Sequence, residues 1–353
     1  MSVYSSLKAF HFPEKVKDFL EDKHSAPVHI RLKPTNACNH DCWFCAYKSS
    51  NLSLGEDMNS RDSIPLEKMK ELISDFSEMK IHSVTLSGGG EPLAYRHINE
   101  TIVGLGENGI KIGVITNGTF LKNEIAKNLS KYASWVRIST DAWDGESLKK
   151  SRSCSEKEFD KILEQMKAFS SMAKDTELGV SFIVTKENHD KVFIAAEKFK
   201  NAGAKHIKIS PCVTSVNGKE NNLYHLNIKE KVFALIKECE SLEDENFSII
   251  NHYHEMESDF SKDYKTCPYL QFLTVIGADC KVYTCQDKAY MDDGLLGNIT
   301  EQSFRKMWNS VETIEAIKAL NPKKTCNHHC VTDPKNKILN DLKRLKPGHE
   351  GFV

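Results

Sequence analysis

The sequence predicts an α/β protein: a partial (β/α)6 barrel followed by a small second domain built around cysteines. Three observations carry this reading. Between residues 28 and about 240, short β-branched runs alternate with amphipathic stretches. After residue 241 that alternation gives way to a charged linker, Glu243-Asp244-Glu245, and then to a hairpin pattern. The 11 cysteines follow the same division. Cys38, Cys42 and Cys45 lie in the first part, Cys267, Cys280, Cys285, Cys326 and Cys330 in the second, and Cys154, Cys212 and Cys239 are scattered between.

The elements follow in order. A strand is expected over 28–33, then a loop with the first cysteines. A helix over 65–79 has Leu66, Met69, Leu72, Ile73 and Phe76 on one face. Strands are expected over 83–87, 111–115, 135–139, 178–184 and 206–210, separated by helices over 97–108, 122–130, 155–171 and 189–201. Ser155, with Glu158 three residues on, reads as a helix cap. A helix over 227–240 closes the series. Strand–helix alternation of this kind means parallel strands joined by right-handed crossovers. Beyond the linker, 247–252 is a candidate strand, 272–276 and 281–284 flank a Gly277-Ala278-Asp279 turn, and 303–320 reads as one helix ending at Asn321-Pro322. The resulting division is an N-terminal extension (1–27), the barrel (28–255), the cysteine domain (256–335) and a mildly basic tail (336–353), helical and expected to be solvated.

Composition excludes several classes. Of 353 residues, 40% are hydrophobic and 27% charged, so the chain folds rather than staying disordered. Lys plus Arg is 48 against 49 Asp plus Glu, a net charge of −1, which argues against a nucleic-acid partner. No apolar run approaches the roughly 20 residues of a membrane helix, so no membrane partner is expected. Lys8, His11, Pro13 and Glu14 interrupt any signal-peptide core, so a cytoplasmic location is expected. In a reducing compartment the cysteine spacing reads as metal ligation or catalysis rather than as disulfides.

The loop Cys38-Asn39-His40-Asp41-Cys42-Trp43-Phe44-Cys45 brings three thiolates within eight residues. A four-iron cluster wants four ligands, so three leave one iron open, the mark of a catalytic site rather than a closed structural one. Zinc with a distant fourth ligand is the alternative on spacing alone. The loop resembles the signature of the radical S-adenosylmethionine (SAM) enzymes, with an aromatic residue before the last cysteine, at the end of the first barrel strand. The resemblance covers about 28–240. It implies a [4Fe-4S] cluster on Cys38, Cys42 and Cys45, with SAM chelated to the open iron and Phe44 near the adenine. It also implies a 5′-deoxyadenosyl radical that takes hydrogen from substrate. Ser87-Gly88-Gly89-Gly90-Glu91-Pro92 follows the second strand, where the family holds the SAM amino group; Gly88, Gly89, Gly90 and Glu91 are therefore candidate cofactor contacts. Glycine there allows close backbone approach and positive φ. Asn117 at the third strand end, and Ser139 and Asp141 at the fourth, are further candidates. Thr185 to Asn188 at the fifth is a weaker one.

The second cysteine set resembles the twitch/SPASM-like auxiliary-cluster domain of radical SAM enzymes, with Gly297-Asn298-Ile299 leading into Met307-Trp308-Asn309-Ser310. That implies a second, auxiliary [4Fe-4S] cluster on Cys267, Cys285, Cys326 and Cys330. Cys280 in the hairpin turn is the rival for Cys285, and a four-thiolate zinc ribbon is the alternative centre.

Strand alternation addresses the substrate. His29, Arg31 and Lys33 share one face of the first strand, Arg137, Ser139 and Asp141 one face of the fourth, and His206, Lys208 and Ser210 one face of the sixth. With the apolar faces against the helices, Arg31, Lys33, Arg137 and Lys208 would line the lumen and suit an anionic substrate. Cys212, beyond the sixth strand, is a candidate hydrogen donor; a small buried hydrophobe is the plainer reading. The expectation is a radical SAM oxidoreductase acting on a polar, sugar- or nucleotide-linked small molecule. An electron donor such as flavodoxin or ferredoxin would serve it, with net oxidation preferred. Epimerisation of a sugar or peptide residue through Cys212 is the first alternative. A non-catalytic zinc- or cluster-binding regulator is the second. A peptide substrate ranks below a metabolite, because 27 residues before the first strand are few for a separate leader-binding domain.

Overall fold

A computed structural model describes residues 4–48, 52, 55–254, 260–345 and 348. The chain enters through helix α1 (Pro13–Leu20) and strand β1 (His29–Leu32). It then alternates: α2 (Leu66–Glu78), β2 (Ser83–Leu86), α3 (Ile98–Glu107), β3 (Lys111–Thr116), α4 (Asn123–Tyr132) and β4 (Ala133–Thr140). Two helices follow, α5 (Gly145–Arg152) and α6 (Lys157–Met172), then β5 (Glu177–Val184), α7 (Val192–Asn201) and β6 (His206–Pro211). Helices α8 (Gly218–His225) and α9 (Lys229–Cys239) lead to β7 (Ser248–Asn251). The last part holds β8 (Leu273–Ile276), β9 (Lys281–Tyr283), β10 (Leu295–Asn298), α10 (Phe304–Trp308), α11 (Val311–Ala319), α12 (Pro322–Thr325) and α13 (Asp333–Arg344).

Strands β1 to β7 are parallel neighbours in sequence order. β7 therefore extends the six expected strands to seven. β8 joins the other side of β1, also in parallel, and β9 and β10 add antiparallel strands beyond it. One sheet of 10 strands thus runs through both parts of the chain. The boundary expected near 255 falls at 255–259, outside the described residues, as do 1–3 and most of 346–353.

The period-two pattern explains the core. Ile30, Leu32, Val84, Leu86, Ile112, Val114, Val136, Ile138, Val180, Phe182, Ile207 and Ile209 are all 0% exposed, packed against the helices. Cutting one back, Ile138→Ala for instance, costs about 2–5 kcal/mol in a core of this kind. The alternate residues face inward, so the lumen receives the polar set.

Three local expectations change. α5 and α8 lie in segments read as connections. The helix expected over 303–320 is two, because Ser310 accepts a hydrogen bond from Thr313 N and starts α11 afresh. Ser155 does not cap α6; the cap position is Glu156, which makes no side-chain cap bond. Glu158 instead turns its carboxylate toward His40. The tail is not merely solvated either: α13 buries Leu339 at 1% exposure against Phe272, Phe19 and Ala9.

Candidate active site

The connection from β1 to α2 carries the first cysteine set. Its middle is held from several sides. Asp41 N donates to Arg152 O at 2.9 Å, Asn39 Nδ2 to Thr119 Oγ1 at 3.0 Å, and Asn117 Nδ2 to Asn39 Oδ1 at 2.9 Å. His40 Nε2 lies 2.9 Å from the Glu158 carboxylate, and its side chain is 1% exposed. Cys38 is exposed, while Cys42 and Cys45 are half-buried. Burial pushes the Cys42 thiol up to about 11, with Asp141, Cys45 and Cys38 adding to it and Arg152 opposing. Converging thiols that resist ionisation as neighbours are eased by a bound cation, which takes them as thiolates.

The glycine run lies against this loop. A Cβ on Gly89 would sit 2.0 Å from Asn36 Oδ1, and one on Gly90 2.1 Å from Ala37 O, so only glycine lets the two segments meet. None of Gly88, Gly89 and Gly90 takes positive φ; close approach alone requires them. Gly90 N donates to Thr35 O and Glu91 N to Ala37 O. Two sequence assignments shift here. Lys33 is not free in the lumen: its amine donates to Gly88 O at 2.8 Å and to the Tyr47 hydroxyl, and it lies 4.2 Å from the Tyr47 ring centroid. Burial and then Arg31 hold its pKa well below the usual lysine range. Glu91 is also committed. Its carboxylate accepts from Thr116 Oγ1 at 2.6 Å, Asn117 N at 2.7 Å and Leu93 N at 3.0 Å, which braces the loop against β3. Burial raises that carboxyl to about 6 despite these bonds.

At the end of β4, Ser139 is half-buried and inward-facing. Asp141 is 3% exposed and accepts from Arg152 Nε at 2.6 Å, so it positions an arginine rather than standing open. Arg152 had no sequence signal beyond its charge. Its guanidinium stands 5.7 Å from the Phe44 ring centroid, close enough to Cys42 to lower that thiol's pKa, and its Nη2 is buried without a partner. Asn188 ties the β5 end to this corner, donating to Asp141 O at 2.8 Å and Ile183 O at 2.9 Å.

The second cysteine set comes from three segments: Cys267 before β8, Cys285 after β9, and Cys326 with Cys330 between α12 and α13. Burial, then Cys330 and Cys326, push the Cys267 thiol up to about 12; Cys285 is driven up by burial, Asp287, Cys330 and Cys267. Cys280 stands elsewhere, influenced by Asp279, Lys68, Asp62 and Glu71 and packed in the main core. Electrostatically, Cys285 is coupled to Cys267 and Cys330, and Cys267 to Cys326 as well, whereas Cys280 is not coupled to any of them. All are free thiols. Thr332 Oγ1 lies 3.3 Å from Cys330 Sγ, and Asn336 Nδ2 of α13 donates to Cys267 Sγ at 3.4 Å, so the helix expected to be surface supports this site. The ligand atoms of Cys285, Asp287 and His328 lie within 4.8 Å of one another. Asp287, two residues past Cys285, was not singled out in the sequence; burial raises its carboxyl to about 6 against Arg31 and Lys33.

A 190 Å³ cavity separates the two sets, lined among others by Phe44, Ile183, Cys212, Asp287 and His328. Cys212 is 1% exposed, and burial first, then Asp141 and Glu187, raise its thiol to about 12, so it keeps its proton. Its backbone is fixed by His225 Nε2, which donates to Cys212 O at 3.0 Å while Tyr253 OH donates to His225 Nδ1. A larger hollow of 360 Å³ beside Leu223, Leu226 and Phe233 touches no cysteine. The smaller cavity is the one that adjoins chemistry.

A parallel barrel with a three-thiol loop at the C-terminal ends of its strands, facing a second four-thiol site across a cavity, defines a class of iron–sulfur protein with one open and one closed centre. The chain carries two recognisable domains: residues 32–193 match the radical SAM superfamily, and residues 267–331 match the iron-sulfur cluster-binding SPASM domain. SAM, its [4Fe-4S] cluster and an auxiliary cluster are the cofactors of these domains, and the free thiols of the two sets fit them. Among known proteins, the sporulation killing factor maturation protein SkfB of Bacillus subtilis is 27% identical over 282 residues, 79% of this chain and 64% of SkfB. A probable GTP 3′,8-cyclase of Saccharolobus islandicus is 26% identical over 192 residues, 53% of this chain and 58% of the cyclase. The chain thus spans less than two thirds of either relative. In fold it is similar to Streptococcus suis SuiB bound to precursor peptide SuiA (TM-score 0.63, 16% identity, 94% of this chain and 78% of SuiB). It is also similar to anSMEcpe with bound AdoMet (TM-score 0.59, 17% identity, 90% and 95%). Among the described residues no helix is long and apolar enough to cross a membrane.

Proposed function

We propose that this chain is a radical SAM enzyme that removes a hydrogen from a polar, anionic substrate in the cavity between the two cysteine sites, with net oxidation. The carrying observation is that cavity, which has Phe44 from the first loop on one wall and Asp287 and His328 from the second site on another. When bound at Cys38, Cys42 and Cys45, the cluster and SAM supply the hydrogen-abstracting radical. The protein's own residues do the rest. Gly88, Gly89 and Gly90 offer backbone at close range, Phe44 an aromatic wall, and the unpartnered Nη2 of Arg152 a donor for an anionic group of the cofactor. Asn117 and Glu91 hold these segments together. Exposed Cys38 marks the face where a donor such as flavodoxin or ferredoxin would deliver an electron. For net oxidation the substrate loses a hydrogen atom, then a proton and an electron, and a centre held by Cys267, Cys285, Cys326 and Cys330 would accept that electron.

A second reading, redox-neutral inversion of a sugar or peptide residue, is favoured by Cys212, whose protonated thiol lines the same cavity. A peptide draws support from SkfB, whose match crosses both domains, and from SuiB, whose structure holds a precursor peptide. The cyclase match supports a nucleotide but covers half the chain. The test is anaerobic turnover in deuterated solvent with nucleotide, sugar and peptide candidates. Oxidised product without solvent deuterium is expected, unchanged in kind by Cys212→Ala. Solvent deuterium that vanishes in Cys212→Ala would establish inversion instead.

A further inference from the structure

Three cations share the inside of the barrel, and among the described residues none of them has an ion-pair partner. Arg31 stands on β1, Arg137 on β4 and Lys208 on β6, all at inward-facing positions. Arg137 and Arg31 both disfavour charge on Lys208, and burial with these neighbours brings its amine down to about 8. Glu177 is committed to His206 at 2.8 Å and Asp141 to Arg152 at 2.6 Å, while Asp287 faces Arg31 from beyond ion-pairing distance. The Nε atoms of Arg31 and Arg137 and the hydroxyl of Ser210 are buried without hydrogen-bond partners. Tyr4 closes the far side. Its hydroxyl accepts from Arg137 Nη1 at 2.8 Å, and its ring centroid stands 5.4 Å from Lys208 Nζ and 5.3 Å from the His252 ring.

Like charges set together with buried, unpartnered donor atoms are costly alone, and a bound anion relieves both costs. Lys208 and Cys212 are four strand positions apart, about 13 Å of backbone. A group held at the cations would therefore put the remainder of a small molecule, or of one peptide residue, in the 190 Å³ cavity. We propose that Arg31, Arg137 and Lys208, with Ser210, form one anion site that grips a carboxylate or phosphate of the substrate and turns its reacting carbon toward Phe44 and Cys212. This deepens the reading above and rests on it. The shared chemistry is a compact oxyanion met by guanidinium and ammonium donors. Lys33, already bonded to Gly88 and Tyr47, takes no part.

The test is binding of simple anions to the anaerobically reconstituted holoenzyme, by calorimetry and thermal melting, without turnover. Inorganic phosphate, pyrophosphate and succinate are the probes. One of them is expected to bind and raise the melting temperature; phosphate or pyrophosphate points to a phosphorylated substrate, succinate to a carboxylate. Lys208→Met and Arg137→Gln should each weaken that binding about tenfold or more. Without anion, Lys208→Met should melt higher than the wild type, because it removes an uncompensated buried charge, and the order should reverse with anion. No stabilisation of the wild type by any probe would overturn the proposal. So would binding that both variants retain, which would move the anion to another basic surface such as the hollow beside Lys8 and Lys111. Iron content and SAM cleavage report the radical SAM reading separately, so the two can fail independently.

Discussion

The two cysteine sites solve the same problem at different ranges. Cys38, Cys42 and Cys45 are placed by one loop, which side chains and backbone from later segments brace: Asn39 to Thr119, His40 to Glu158, Asp41 to Arg152. Cys267, Cys285, Cys326 and Cys330 come from three segments spread over 64 residues of chain (267 to 330), and α13 adds Asn336 behind them. A local triad needs only its loop to be held in shape. A dispersed quartet needs the domain folded before its thiols meet, so a centre bound there also ties the β8–β9 hairpin to the segment after α12. Three thiols on one loop would leave a bound cluster one position open for chemistry; four from three segments would close a centre and couple metal to stability.

The comparison breaks most visibly at the first loop. Changing Cys38, Cys42 and Cys45 together to Ala should abolish 5′-deoxyadenosine formation while iron falls only from about eight to about four per chain, counted on anaerobically purified protein. Because the loop is local, the melting temperature should move little. SAM cleavage persisting in that variant would reject the assignment.

Next in size is the second site. Cys326→Ala with Cys330→Ala should also remove about four irons, but with a marked fall in melting temperature and faster proteolysis beyond residue 260, since binding energy there contributes to folding. Equal stability losses for the two sets would erase the distinction between a local and a dispersed site; unchanged iron would remove the second site altogether.

The braces offer the smallest and most discriminating effects. Glu158→Ala removes the partner of a buried histidine between two ligand candidates, at about 1–3 kcal/mol. It should loosen iron at the first site and leave the second alone. Asn336→Ala removes one donor to Cys267 and should do the reverse. Iron-loss rates under chelator, followed by absorbance for each variant, measure the selectivity.

Much of this arrangement was legible in the residues. The period-two strands placed Arg31, Arg137 and Lys208 on inward faces, and the spacing of Cys38, Cys42 and Cys45 put three thiols on one loop, because both features depend only on neighbours a few positions apart. The roles of side chains that meet across the fold were not. Lys33 and Arg31 share a face of β1 and look alike in sequence, yet Tyr47 and Gly88 claim the lysine while the arginine keeps an idle Nε. Glu91 and Asp141 read as open cofactor contacts until Thr116, Asn117 and Arg152 occupy them. The choice between Cys280 and Cys285 also waited for the hairpin to turn one toward α2 and the other toward Cys267. Periodicity and spacing are properties of the local backbone, and the sequence determined those by itself. Which buried polar group finds a partner depends on segments tens to hundreds of residues away, and only the tertiary structure decided that.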